Sequence, residues 1–294
     1  MNRTLHWTLA AMVLLPAWQG AHLCRADVII DWNTVYCQVV KADAGSANPG
    51  WSSRAIGMVN AAMFDAVNSI EKISAPFVIN VPAAADTSRE AAAAQAAYRV
   101  LLDLYPNQQA ALGAALATSL NGIADSPQKA AGIAVGEAVG QAVVQSRVND
   151  GASVIVPYTP GTGAGQWRPD PLNTGQSAWG PEWGAVKPFV MSSSAQFAPP
   201  LAPALTSAEY TAAFNEVKSL GAKNSVTRTA EQTEIALFWA YDRAGMGPPM
   251  VLYDQALTHI AQAHHNTLSQ NARLFGLAGV AMADAGIAAW DAKF

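Results

Sequence analysis

Three histidines, His259, His264 and His265, crowd one short stretch and are the first side chains to weigh as a metal site. Imidazoles that share a metal converge from one helical face, usually at a spacing of four. Spacings of five and six turn these rings roughly 140° and 120° apart at 100° per residue. The spacing therefore favours solvated histidines at a helix end. Among the acids, Glu231 and Glu234 fall in the first turns of a helix, where the macrodipole favours negative charge without any catalytic role. Asp284 and Asp291 are seven apart and share a face of the last helix; acids in a cleft and partners for arginines elsewhere are both open, with the second favoured. The glycines of "PGTGAGQW" follow no strand, and Pro169 and Pro171 block a helix behind them, so they form a turn rather than a phosphate cradle. Members of a Ser-His-Asp triad need not be near in the chain, yet no nucleophile elbow and no sheet to carry one are present. That leaves Lys293, which closes a run that is apolar nearly all round from Leu274 to Ala292, broken only by Asp284 and Asp291. A helix without a polar face is buried on most sides. Lys293 shares a face with Trp290, Ala289, Gly286, Met282 and Gly279, so its ammonium either snorkels out at the helix end or meets a negative partner.

The elements that must position these groups are helical. "WSSRAIGMVNAAMFDAVNSI" puts Ala55, Met58, Val59, Ala62, Met63, Ala66, Val67 and Ile70 on one face at spacings of three and four. "TSREAAAAQAAYRVLLDLYP" opens on a capping box from Thr87 to Glu90 and stops at Pro106. A third run covers Asn107 to Ile123. A fourth starts with Ser126 as cap and Pro127 in its first turn, and carries Gly132, Gly136 and Gly140 as a smooth packing ridge. Later helices start at a capping box formed by Thr206 and Glu209, at Thr229, in "MVLYDQALTHIAQAHH", and at Thr267. Only "DVIIDW" reads as a short strand. Between the helices, residues 151–205 hold nine of the 17 prolines together with Trp167, Trp179 and Trp183. An irregular stretch of that length wraps a surface or contributes to a site. The class is all-α, with helical segments at 27–150 and 206–294 joined by an irregular connection pinned by its aromatics.

Composition bounds the rest. The chain has 294 residues, 51% hydrophobic and 13% charged, with net charge -4 from 17 basic and 21 acidic residues. That suits a large packed core and, without a basic stripe, argues against a nucleic-acid partner. Residues 1–26 have a basic start at Arg3, an apolar stretch from Leu9 to Leu15 and a small residue, Ala26, before Asp27, the pattern of a secretory signal. Pro16 and Gln19 leave it too short and broken to span a bilayer. The last helix, rich in Ala and Gly with Asp284 mid-run, makes a weak span. Export to the periplasm or the exterior leaves one thiol, Cys37, expected to be buried, and no internal disulfide.

Taken together, "RAIGMVNAAMFDAVNSI", "GTGAGQWRPDP", "LTSAEYTAAFNEVKSLGA", "TRTAEQTEIALFWA" and "NARLFGLAGVAMADAGIAAWDAKF" resemble the bacterial vanadium-dependent haloperoxidases. Their superfamily includes the type 2 phosphatidic acid phosphatases. The resemblance covers nearly all of the chain from Asp27 onward. In that family vanadate or phosphate is gripped by a lysine, an Arg-Pro six residues later, a Ser-Gly-His segment, and a further arginine and histidine. Lys293 in "WDAKF" matches the lysine. The Arg-Pro would come after Phe294, no Ser-Gly pair occurs, and none of the histidines fits the axial ligand. Arg168-Pro169 precedes the lysine, lies in the connection and is not equivalent.

The resemblance implies two packed helical bundles, the last helix opening the metal-bearing one, and an oxyanion pocket that binds vanadate, phosphate, halide and peroxide. In the family, cationic donors polarise metal-bound peroxide for attack by halide. A lone lysine supplies one charge and no covalent ligand, so this chain by itself is expected neither to hold vanadate tightly nor to turn over. The alternatives are a phosphatase-type member of the same superfamily and a non-catalytic exported helical scaffold whose last helix docks a partner.

Overall fold

In the computed structural model, which describes residues 27–43, 48–240 and 246–294, the stretch that reads as a strand is helical. Asp27 caps α1 (Val28–Ala42), its carboxylate accepting from the amides of Ile29 and Ile30 at 3.0 and 3.1 Å. The misreading arose because an apolar run as short as Val28, Ile29 and Ile30 has no period of its own. With the cap in place, Ile29, Trp32, Tyr36 and Val40 follow at helical spacing and are all buried. No strand occurs among the described residues. The expected leader, residues 1–26, lies outside them.

Among the described residues eight more α-helices follow: α2 (Pro49–Glu71), α3 (Arg89–Leu104), α4 (Gln109–Asn121), α5 (Pro127–Ser146), α6 (Ala208–Gly221), α7 (Ala230–Trp239), α8 (Pro249–Ala263) and α9 (Leu268–Lys293). Ser126, Thr229 and Thr267 cap their helices as their sequence positions suggest, the last two in complete capping boxes with Gln232 and Gln270. Two caps sit one residue later than expected. Ser88, not Thr87, accepts from the Ala91 amide, and Ser207, not Thr206, accepts from Tyr210. In each Thr-Ser pair the serine takes the extended backbone and aims its hydroxyl at the third amide. Residues 151–205 carry only two short 3-10 turns, Trp183–Ala185 and Ser194–Phe197.

The core is built around α2, buried along nearly its whole length between α3, α5 and α9. The glycine ridge of α5 packs on α3: a Cβ at Gly132, Gly136 or Gly140 would strike the backbone of Ser88, Ala92 or Ala96 at 2.4, 2.3 and 3.0 Å. By contrast, neither α6 nor α7 buries a single residue.

A repeat becomes evident once α2 and α9 are seen side by side. Arg54, Gly57, Ala62, Met63, Asp65 and Ala66 recur in the same register as Arg273, Gly276, Ala281, Met282, Asp284 and Ala285. Pro76-Phe77-Val78-Ile79 recurs as Pro188-Phe189-Val190-Met191. The helices preceding the two copies, α1 and α8, each have 15 residues. The contacts repeat as well. A Cβ on Gly57 would meet Ala283 at 2.8 Å and the Phe189 ring at 3.1 Å, while one on Gly276 would meet Phe64 at 3.0 Å and the Phe77 ring at 3.2 Å. Equivalent residues exchange roles, as across a two-fold interface. Near the crossing Gly279 faces Asn60, and Asn60 and Asn33 exchange amide hydrogen bonds of 2.9 and 3.0 Å.

Candidate functional site: the connection end of α9

Asp284 is 3% exposed and accepts from three consecutive amides of the connection, Phe189 (2.6 Å), Val190 (3.0 Å) and Met191 (2.9 Å). Asp65 does the same for Phe77 (2.8 Å), Val78 (2.8 Å) and Ile79 (3.0 Å). Burial raises the Asp65 carboxyl above the ordinary carboxylate range although all three amides pull it down. The expectation that Asp284 pairs with an arginine is corrected: backbone amides satisfy it. Arg147 lies close enough to feel its charge, but its guanidinium stacks on the Phe189 ring at 3.8 Å and donates to the carbonyls of Lys187 and Pro188.

The connection enters the core through a buried ionic knot. Arg54 Nε lies 2.7 Å and Arg147 Nε 2.9 Å from Asp150 Oδ2, and Arg54 also donates to the Arg147 carbonyl. Burial lowers the pKa of Arg147 against the raising effect of Asp150. From there Trp183, 1% exposed, packs against Trp51 and Trp179 with ring centroids 5.6 Å away in each case. Trp179 meets Trp290 at 5.2 Å, and Trp290 Nε1 donates to the Trp179 carbonyl at 3.0 Å. Gly50 makes room for this cluster, since a Cβ there would fall 2.4 Å from Trp179.

Lys293 stands at the rim of these rings. Its ammonium sits 4.6 Å over the Trp290 ring and 5.8 Å from that of Phe294. Phe294 stacks edge-on against Tyr158 at 5.3 Å, and Tyr158 in turn against Trp167 at 5.8 Å. The lysine is exposed, so an ion arriving from solvent can reach it. Rings beneath an ammonium hold it by their quadrupole while leaving its N–H groups free to donate outward. Asp291, exposed, backs onto Gly184 of the first 3-10 turn, where a Cβ would fall 2.6 Å from its Cα. Arg168 is exposed and reaches the Thr162 carbonyl of its own loop.

The other residues weighed for chemistry are elsewhere. His259, His264 and His265 are all exposed, and His264 caps the end of α8 at the turn into α9. The full length of α9, 26 residues or roughly 39 Å, separates that turn from Lys293. Among the described residues no three His, Cys, Asp or Glu side chains are grouped to hold a metal ion. Glu231 and Glu234 are exposed on α7. The residues present do not by themselves fit vanadate, because the three described histidines lie at the far end of α9 and the rings around Lys293 offer no metal-ligating nitrogen. Cys37 is 7% exposed, and its thiol lies 3.3 Å from Asp254 Oδ2 on α8. Burial pushes the Cys37 thiol well up and lifts the Asp254 carboxyl to about 6.

The paired aspartates and the Arg54–Asp150–Arg147 knot are the parts that reading residue types alone missed. The repeated Ala-Met-x-Asp-Ala and Pro-Phe-Val strings were the available signal for the aspartates.

No family model matches the chain. It is 37% identical over 100 residues to vanadium chloroperoxidase of Curvularia inaequalis, a stretch that spans 30% of this chain and 16% of that one. Among solved structures, the first bacterial vanadium-dependent iodoperoxidase superposes with a TM-score of 0.77 at 20% identity, covering 90% of this chain and 68% of the other. The chain is thus vanadium haloperoxidase-like, in sequence over one stretch and in fold over nearly its whole length.

Proposed function

We propose that these residues are the N-terminal helical part of an exported vanadium-dependent haloperoxidase, with Lys293 the first positive donor of its oxyanion pocket. The observation that carries this is the position of Lys293: an exposed ammonium seated over Trp290 at the end of α9, in a fold shared with an iodoperoxidase over 90% of the chain. Held there, it would donate a charge-assisted hydrogen bond to an oxygen of a bound oxyanion. Trp290 and Phe294 orient it, and Asp284 fixes the connection against the helix that bears it. Vanadate supplies the Lewis acidity, with peroxide and halide as co-substrates. In this reading the pocket is completed by polypeptide that supplies a histidine and further cationic donors, and residues 27–294 alone neither bind vanadate tightly nor turn over.

The test compares residues 27–294 with the polypeptide that includes the in-frame sequence downstream of Phe294. Both are assayed with vanadate, peroxide and bromide for bromination of a phenolic dye, and with p-nitrophenyl phosphate for hydrolysis. Bromination by the longer polypeptide alone, lost on Lys293→Ala, is the expected result. Bromination by residues 27–294 would overturn the view that the pocket is incomplete. Hydrolysis without bromination would assign the chain to the phosphatases of the superfamily. Neither activity in the longer polypeptide would leave the scaffold reading.

A further inference from the structure

We propose that the seam between α1 and α8 is an acid-locked latch over Cys37: α8 lies closed on α1 while the Asp254 carboxyl carries its proton, and lifts to uncover the thiol once that proton is lost. The inference stands apart from the chemistry proposed for the Lys293 end of α9.

The surroundings of Asp254 carry it. The carboxyl is 2% exposed; Oδ2 accepts from the Cys37 thiol at 3.3 Å, and Oδ1 has no hydrogen-bond partner. Asp65 and Asp284, buried as deeply, are each held by three backbone amides. A thiol is a weak donor, so a charged carboxylate is poorly supported beside Cys37, whereas the neutral acid is tolerated. The Tyr36 hydroxyl cannot help, since it donates to the Ser52 carbonyl at 2.9 Å. Burial accordingly holds the Asp254 carboxyl up at about 6. Among the described residues, none of the charged groups around the seam pairs with it. Tyr36 and Cys37 face it from α1; burial raises both, and the charge of Asp254 raises them further. Tyr105 stands beside Tyr36, and Lys41, a turn beyond Cys37, is exposed. On α2, Arg54, Asp65 and Glu71 are engaged with Asp150, the three amides and Arg89, and Arg273 of α9 is exposed.

α8 is the side that yields. Its buried residues are Val251, Asp254 and Ala261, whereas α1 buries both faces of its middle turns, from Ile29 to Val40. Left-handed residues bracket α8, Gly247 with φ +85° and His265 with φ +50°, and give it a turning point at each end. Upstream, α6 and α7 bury nothing that would hold it down. A segment anchored by so few buried side chains opens locally, below the cost of global unfolding. Ionisation favours the open form, in which the carboxylate is hydrated. Opening is therefore rarest below about pH 4, grows as pH rises towards about 6 and levels off above that.

The test is the rate at which 4,4′-dithiodipyridine modifies Cys37 in the chain carrying Cys24→Ser, which leaves Cys37 as its single thiol. Each rate between pH 4 and pH 7 is divided by that of an unstructured peptide spanning Cys37, so that the quotient reports opening. It should rise roughly 50-fold over this range, because about two pH units separate the closed carboxyl from the open one. In Asp254→Asn the quotient should stay constant. Urea below the unfolding transition should barely change it in the parent, since lifting one helix exposes little surface. A flat parent profile would overturn the latch, as would an equal rise in Asp254→Asn. So would a urea dependence as steep as that of global unfolding, which would mean that Cys37 is reached only when the whole chain unfolds. The parent's pH profile and urea dependence decide the matter even if the variant is unstable.

Discussion

α2 and α9 carry the same string of residues, hold the same kind of loop with the same kind of aspartate, and meet through equivalent glycines. Yet one is buried on all sides and the other on half. The Asp65 clamp secures a loop that leads straight into α3, which with α5 closes over the back of α2. The Asp284 clamp secures a loop taken from the connection, and among the described residues no α3 or α5 counterpart closes over α9. α6 and α7 leave apolar side chains such as Phe214, Leu237 and Trp239 exposed. Identical local patterns thus end in different surroundings, and burial is a property of what arrives later, not of the helix alone.

Removing the clamps tests the likeness most severely. Asp65→Ala leaves the amides of Phe77, Val78 and Ile79 without their acceptor at about 1–3 kcal/mol each, with water able to replace part of it, so a loss of roughly 3–5 kcal/mol in denaturant unfolding is expected. Asp284→Ala should cost about half of that, because the connection can lift and let water reach residues 189–191. Equal losses would mean that the two loops are equally enclosed.

The seam between α1 and α8 is next. Asp254 is 2% exposed with its carboxyl raised to about 6, above its unfolded value. The folded state therefore binds this proton more readily than the unfolded one, so the stabilisation is full at low pH and lost as pH rises through about 4 to 6. Asp254→Asn removes that dependence. Its melting temperature should match the parent's near pH 4 and exceed it at pH 7, by an amount equivalent to about 2–3 kcal/mol. A constant difference across the range would mean that Asp254 is not held in the protonated form by burial.

The glycines give the smallest effects and test where the two-fold likeness fails. Gly57→Ala pushes its Cβ to 2.8 Å from Ala283, a short side chain that cannot swing away, so a net loss of about 1–2 kcal/mol is expected despite the helix propensity of alanine. Gly276→Ala meets Phe64 at 3.0 Å, and there the propensity gain of about 1 kcal/mol nearly cancels the crowding. Thermal melts of the two variants separate these cases.

Much of the fold was legible in sequence. The apolar face of α2, the caps at Ser126, Thr229 and Thr267 and the glycine ridge of α5 are local patterns, and local patterns survive folding. The helix at α1 was hidden because a run of consecutive apolar residues looks alike in a strand and in a buried helix until its cap is known. The partner of Asp284 was hidden for another reason: backbone amides have no sequence signature, so a buried carboxylate invites the guess of an arginine. The setting of Lys293 was half visible. Trp290 lies three residues before it, but Trp167, Trp179 and Tyr158 reach its end of α9 only through the path of the connection.

The account depends on α9 presenting an uncovered copy of a face that α2 keeps buried. Unfolding of Ala66→Arg and Ala285→Arg in otherwise identical chains of residues 27–294 tests this directly, because the two alanines hold the same place in the repeat. A buried unpaired arginine at 66 should cost more than about 4 kcal/mol or prevent folding, while at 285 the change should stay within about 0.5 kcal/mol. Comparable destabilisation by both substitutions would contradict the account, because α9 would then already be covered.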